Sequence, residues 1–384
     1  MNHPRTAPQP AAPTEQPPRR LGRTPQSRVQ PRVQPPAPTL TARARRLLAL
    51  LLLLLAPPLL AAEPAGPNTP ALHALLEGRV EDAQSLLHAT LAQNPSDASA
   101  HQLLCRVFYA QEQADRAIRE CELAAAATPR ADAPHASNAQ LWLGRAYGLK
   151  ARHASPLAAF SLARKVHAAF EAAVQINPLN IDALSDLGEY FVDAPTIVGG
   201  GDDKARALAA RMLPRFPQDA HRLLAQLALS NKDAAHAESE FKLAISAARP
   251  AEGHTLAEAQ AGGWIDLARF LETRHRPDDA DAALHTALAL DRSIPPERAH
   301  GPLLVDAASI LTALHREPAL AERCLRDYLA GHNLSDAAPA FKVHLQLSRL
   351  LAARGDSAEA SREASTAAAL APAFNHTAPS AQGL

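Results

Sequence analysis

Residues 101–129 read HQLLCRVFYAQEQADRAIRECELAAAATP, and the two halves of this stretch carry different apolar patterns. In the first half, Leu104, Cys105 and Phe108 set a large, a small and a large residue on one helical face. In the second, Ala117, Cys121 and Ala124 recur at steps of four and three, and Pro129 closes the run. Small residues let two helices approach closely, and large ones reach the next pair. Such a hairpin cannot bury its apolar face alone, so it requires neighbours of the same design.

The neighbours are present. The first pattern returns at Leu143-Gly144 with Tyr147, Leu187-Gly188 with Phe191, Leu267-Ala268 with Trp264 and Leu271, and Leu347-Ser348 with Leu351. The second returns at Ala237, Phe241, Ala244 and Pro250, again at Ala360, Ala364, Ala367 and Pro372, and more weakly at Ala83, Leu87 and Pro95. Stretches dense in Val, Ile or Thr are nearly absent, which favours helix over strand. The chain resembles the tetratricopeptide repeat family, whose unit is a helix–turn–helix of about 34 residues. The resemblance runs from 68 to 373 in eight units, the one around Ser309 and Ala321 being degenerate. It implies an all-α, right-handed superhelical solenoid of about eight helix–turn–helix units, with insertions in the third and fourth.

Those insertions emerge from a ruler. The small residue of the first helix precedes the Ala of the second by 12 positions in the pairs Cys105–Ala117, Ala225–Ala237, Ala268–Ala280 and Ser348–Ala360. From Gly188 to Ala205 it is 17, so APTIVGGG (194–201) is an over-long turn. A phosphate loop would need Lys and Ser/Thr after its glycines. Asp202 and Asp203 stand there instead, and Asp202 is expected to cap the next helix. From Gly144 to Val166 the distance is 22, and Ser155-Pro156 is a good helix start, so the second helix is expected to begin at Pro156. Equivalent turns of successive units lie side by side. Leu157, Phe160, Ile197 and Val198 therefore form a candidate insertion patch, with Ile197 expected to be buried against 156–162. The patch reads either as a loop covering the longer helix or as a partner site.

Residues 1–40 are rich in Pro, Gln, Ala and Arg and show no apolar periodicity, so a disordered extension is expected there, one outside the translated product if the start codon lies too far upstream. Residues 41–62 place Arg43, Arg45 and Arg46 ahead of an apolar run, Leu47 to Ala56, and small residues at Ala61 and Ala62. That is the order of a secretory signal, cleaved near Ala62. A retained inner-membrane anchor is the alternative, although the run is short and ends at Pro57-Pro58. The solenoid is assigned to 63–373 and a disordered tail to 374–384. The chain has 39 basic and 39 acidic residues, and setting aside the nine Arg and one Glu of 1–62 leaves 30 against 38. A net charge near −8 with 4% aromatics argues against nucleic acid as a partner. The Arg-, Ala- and Pro-heavy composition resembles that of a GC-rich bacterium, making the expected compartment periplasmic or extracellular.

No catalytic, cofactor or metal constellation is evident. Asp281 and His285 lie one turn apart without a third ligand, and no H-E-x-x-H, G-x-S-x-G or dinucleotide fingerprint occurs. Cys105 and Cys121 fall at the same level of their hairpin, either as a disulfide in an oxidising compartment or as two buried thiols. The family resemblance implies a concave surface lined by the first helices, with Arg106, Arg145, Asp186, Glu189, Gln226, Asp266 and Arg269 as candidate groove residues. It further implies a non-enzymatic scaffold, without cofactor or small-molecule substrate, that binds a protein or peptide, with envelope assembly or secretion as the expected setting. Membrane contact is expected only through an uncleaved signal. A structural oligomerisation module and an enzyme seated in the inserted loops are the competing readings.

Overall fold

The structure is a computed structural model that describes residues 68–250, 255–295, 298–299 and 301–375. The extension and the signal-like segment lie outside the described residues, as does the tail beyond Asn375. Among the described residues sixteen α-helices follow one another in antiparallel pairs, giving eight units. The first two units are α1 (Thr69–Leu76) with α2 (Val80–Gln93), and α3 (Ala98–Ala110) with α4 (Ala114–Ala127). The third and fourth are α5 (Ala133–Ala151) with α6 (Pro156–Ile176), and α7 (Ile181–Asp193) with α8 (Asp202–Met212). The fifth and sixth are α9 (Pro217–Ser230) with α10 (Ala234–Ala247), and α11 (Leu256–Thr273) with α12 (Pro277–Asp291). The last two are α13 (Leu303–Ala313) with α14 (Pro318–Ala330), and α15 (Ala340–Ala353) with α16 (Ser357–Leu370).

One turn recurs inside the units. In units one, two, five, six and eight, three residues join the helices, and the middle one is left-handed: Gly78, Glu112, Lys232, His275 and Gly355, at φ 74°, 60°, 62°, 56° and 87°. The left-handed residue reverses the chain in the shortest length that lets the second helix lie back along the first. Unit seven has four joining residues, with His315 and Glu317 both at positive φ. This accounts for its apparent degeneracy. A fixed 12-residue ruler picks Ser309 as the small site, whereas Ala308, fully buried, occupies it.

The small sites behave as close-approach points. A Cβ on Gly144 would overlap the Phe170 ring of α6, and one on Gly188 would lie 2.8 Å from Leu223 of α9. Cys105, Ala225 and Ala268 are fully buried at the same register. A polar feature shares that register. His101, His221 and His344 each stand four residues before a small site, and each meets a glutamate nineteen residues on, Glu120, Glu240 and Glu363, at 2.7, 2.7 and 2.6 Å. Units two, five and eight thus carry the same largely buried His–Glu pair, where unit four has Leu184 and Leu208.

The insertion of unit three lengthens its two helices to 19 and 21 residues, whereas that of unit four stays in the turn. α6 begins at Pro156, after Ser155 in extended conformation, and has 21 residues. The long turn of unit four holds one turn of 3-10 helix, Thr196–Val198, against α6. Two expectations are corrected here. Gly201, at φ 137°, is the N-cap of α8, and Asp202 is its first helical residue, making no cap bond. Gly200 is forced, because a Cβ there would overlap the Ala194 carbonyl. Ile197 is 76% exposed, and Val198, 6% exposed, is the buried member. The Tyr190 hydroxyl decides between them: it lies 2.7 Å from the Val198 carbonyl and 2.9 Å from that of Ala163, so the loop is pinned with Val198 inward.

The end of the solenoid returns to its start. A Cβ on Gly78 would lie 3.0 Å from that of Ala340, and Phe341, fully buried, shares a core with Ala71, Ala74 and Leu75. Lys342 pairs with Glu112 at 2.8 Å and Arg106 with Asp336 at 2.7 Å, each across 230 residues. Phe374, assigned to the tail by sequence, packs on Phe341 with ring centroids 5.1 Å apart.

Candidate partner-binding cleft

Because the eighth unit meets the first two, the inner helices enclose a cleft of ≈ 1060 Å³. One wall comes from α3 and α5, with Arg106, Tyr109, Trp142 and Arg145; the other comes from α13, α15 and the loop between units seven and eight, with Ser309, Asp336, Lys342 and Gln346. Proximity of walls so distant in sequence makes this a feature of the whole superhelix, not of one repeat.

A rule of register governs the inner face. The residue one position after a small site contacts the residue two positions before the next unit's small site. Arg145 pairs with Asp186 through two bonds of 2.6 and 3.1 Å, Arg269 with Asp306 at 2.5 Å, and Ser309 with Gln346 at 3.0 Å. Asp266 fills the acceptor position of unit six and takes Arg222, from one turn earlier, at 2.7 Å. Four of the seven sequence-derived groove residues, Arg145, Asp186, Asp266 and Arg269, are thus engaged with neighbouring units. Partly exposed pairs of this kind contribute about 0–1 kcal/mol each, so their main effect is to fix the spacing of successive units.

The remaining three differ. Arg106 finds no carboxylate at the acceptor position, where Trp142 stands; its guanidinium lies over the indole at 5.4 Å, with Arg145 over the same ring at 4.9 Å. Tyr109 meets Trp142 edge-on at 5.5 Å. Glu189 makes no ion pair among the described residues, and burial, then the neighbouring Asp186 and Asp193 charges, push its carboxyl above the usual carboxylate range. Glu189 and Gln226 line a second, shallower hollow of ≈ 400 Å³ with Asp193 and Leu229. The cleft therefore gathers only Arg106 and Arg145 of the seven.

Sequence reasoning missed Trp142, Tyr109, Lys342 and Asp336. Trp142 was accessible to it, since it is the one aromatic at a position held in later units by Asp186, Leu223, Asp266, Asp306 and Gln346. Lys342 and Asp336 were not, because they depend on closure of the superhelix. Of the insertion patch, Leu157 and Phe160 are both exposed, at 84% and 38%. Cys105 and Cys121 form a disulfide within unit two, Cα–Cα 5.2 Å, tying α3 to α4 one residue before Arg106. Burial pushes the third thiol, Cys324, up to about 11. Among the described residues there is no cluster of three or more His, Cys, Asp or Glu able to hold a metal, and no helix long and apolar enough to cross a membrane.

Among known proteins, the tetratricopeptide repeat family model matches residues 74–143, from α1 to α5. No curated protein matches the chain. Solved structures that are similar include a thermophilic tetratricopeptide repeat protein of Thermus thermophilus, 20% identical, covering 53% of this chain and 97% of the other at a TM-score of 0.42. Another is a tetratricopeptide repeat protein of Parabacteroides merdae, 13% identical, covering 73% and 96% at 0.39. A third is pilF of Pseudomonas aeruginosa, 17% identical, covering 64% and 96% at 0.33. Among the described residues the chain is an all-α solenoid of eight paired units, with a tetratricopeptide repeat match that runs from the first unit into the first helix of the third.

Proposed function

We propose that this protein is a non-catalytic interaction scaffold that holds an extended segment of a partner protein in the cleft between units two and three and units seven and eight. The carrying observation is the cleft itself, ≈ 1060 Å³ with two walls of polar, cationic and aromatic side chains. Tyr109, Trp142 and Arg106 are residue types that dominate binding energy at protein interfaces. We place the protein in the periplasm or outside the cell, in envelope assembly or secretion. The support is the signal-like order of 41–62 together with the Cys105–Cys121 disulfide, a bond that persists in oxidising compartments.

Position-dependent photocrosslinking tests this. A photoreactive residue at Gln102 or at Gln346, on opposite walls, should give the same heterologous adduct in cells, while one at Leu123 on α4 should not. An adduct formed from Leu123 but from neither wall would overturn the cleft. The exposed Leu157 and Ile197 support a second reading, self-association through the insertions. Light scattering separates it: a dimer that Leu157→Ser and Ile197→Ser return to monomer would favour oligomerisation.

A further inference from the structure

We propose that the edge formed by the insertions of units three and four docks on an anionic lipid bilayer surface. This contact is separate from the cleft and from the signal-like segment 41–62. It begins with the start of α6. No residue of α6 before Leu162 is buried, so Pro156 to Ser161, about 9 Å of helix, runs beyond the core. Leu157 is 84% exposed there and Phe160 38%. Phe160 and His167, seven residues apart, share one row of the helix, and that row faces the turn of unit four. A Cβ on Gly199 of that turn would lie 2.7 Å from the His167 ring. Ile197, 76% exposed, belongs to the same turn. Tyr190 holds Val198 inward and leaves Ile197 in water. Three large apolar side chains therefore stand together on one edge with nothing of this chain covering them.

Charge selects the occupant. The first turns of α2, α4, α8, α12 and α16 carry acids, which a helix N-terminus favours. The first turn of α6 carries none, and no acid occurs anywhere from 133 to 170. Of the cations in that stretch, Arg145 pairs with Asp186 and Lys150 with Asp115. Arg164, exposed two turns from Leu157 on the same row, makes no ion pair among the described residues, and neither does Arg152 at the end of α5. Lys165, also exposed, lies over the Tyr147 ring at 5.0 Å rather than against a carboxylate. On the unit-four side, Asp202 and Asp203 are taken by Arg206, and Glu171 sits beside His167. Apolar side chains flanked by unpaired cations suit acyl chains and anionic headgroups together. A second copy suits them less, because a two-fold interface sets the patch against itself and brings like charges face to face. The acidic excess of 63–384 keeps the other faces off such a surface.

Fluorescence of a Leu157→Trp full chain, read against the parent, tests this with vesicles of phosphatidylcholine alone or with about a third phosphatidylglycerol. The expected result is a blue shift, with quenching by brominated acyl chains, in the anionic vesicles only. Leu123→Trp on α4, at a position 44% exposed, should show neither, which separates this contact from recruitment through 41–62. Arg164→Gln with Lys165→Gln, both on exposed positions, should remove most of the shift in the Leu157→Trp chain, and Ile197→Ser should reduce it. An equal shift in both kinds of vesicle, a shift that these variants leave unchanged, or no shift at all would overturn the proposal. A lipid-independent dimer seen by light scattering, and dissolved by Leu157→Ser, would overturn it in favour of a second copy.

Discussion

Units two and three and units four and five present the same register positions to the inner face, with opposite outcomes. In the first pair, Arg106 and Arg145 clasp Trp142 and face the far wall. In the second, the equivalent positions are Glu189 and Gln226, beside Asp193 in a shallow hollow. The donor and acceptor positions recur in both, so the difference lies in the side chains that occupy them, with Trp142 and Asp186 as acceptors in the first pair and Leu223 and Asp266 in the second. Where donor and acceptor positions match, the charges hold units together. Where they do not, charge or aromatic surface is left for something else.

The largest expected effects test whether the two regions share one lattice. Phe241 in unit five and Cys121 in unit two occupy the same position, four residues after Ala237 and Ala117. Phe241→Ala should cost about 3–5 kcal/mol by loss of a buried ring. Replacing Cys105 and Cys121 by Ser should cost about 2–4 kcal/mol by freeing a loop closed over 16 residues. Urea melts check both. A variant at either position that melts like the parent would break the equivalence.

The small sites sharpen the comparison. Gly144 faces the Phe170 ring squarely, so Gly144→Leu should overpack and destabilise by about 1–3 kcal/mol. Gly188 faces only the tip of Leu223, which can rotate away, and alanine is favoured over glycine in helices by about 1 kcal/mol. Gly188→Ala should therefore be near neutral in thermal melts. Equal losses at both glycines would mean that the two interfaces are alike in tightness.

The smallest effect concerns the acidic side. Glu189 is held above its ordinary range chiefly by burial, so its ionisation disfavours the folded state. The sign follows: the folded state binds the proton more tightly than the unfolded chain, and stability is lost as pH rises through the raised value. Glu189→Gln should accordingly melt higher than the parent at neutral pH and converge with it below about pH 4, the unfolded range. A variant that melts lower at neutral pH would show that the carboxylate has a stabilising partner.

Much of the lattice was legible in sequence. Gly144 as a close-approach site, the Pro156 start of α6 and the over-long turn at 194–201 all follow from spacing, since they depend on contacts within a unit or between adjacent units. The errors were local substitutions of one residue for its neighbour. Ser309 was read for Ala308 because a turn gained one residue, and Ile197 for Val198 because a tyrosine hydroxyl chose the side. The cleft was legible only in half. Arg106 and Arg145 follow from register, but the wall facing them depends on the rotation accumulated over eight units, which no local pattern encodes.

That closure is the central claim, and a zero-length carbodiimide crosslink tests it most directly. The Lys342 ammonium and a Glu112 oxygen lie 2.8 Å apart across 230 residues, so coupling should yield an isopeptide-linked pair of peptides containing 112 and 342. The Lys150–Asp115 pair, 2.5 Å apart between adjacent units, is the internal control. Recovery of both linked pairs by mass spectrometry is the predicted result. Recovery of the 115–150 pair without the 112–342 pair, in a monomeric sample, would mean that the solenoid is open and that the cleft does not exist.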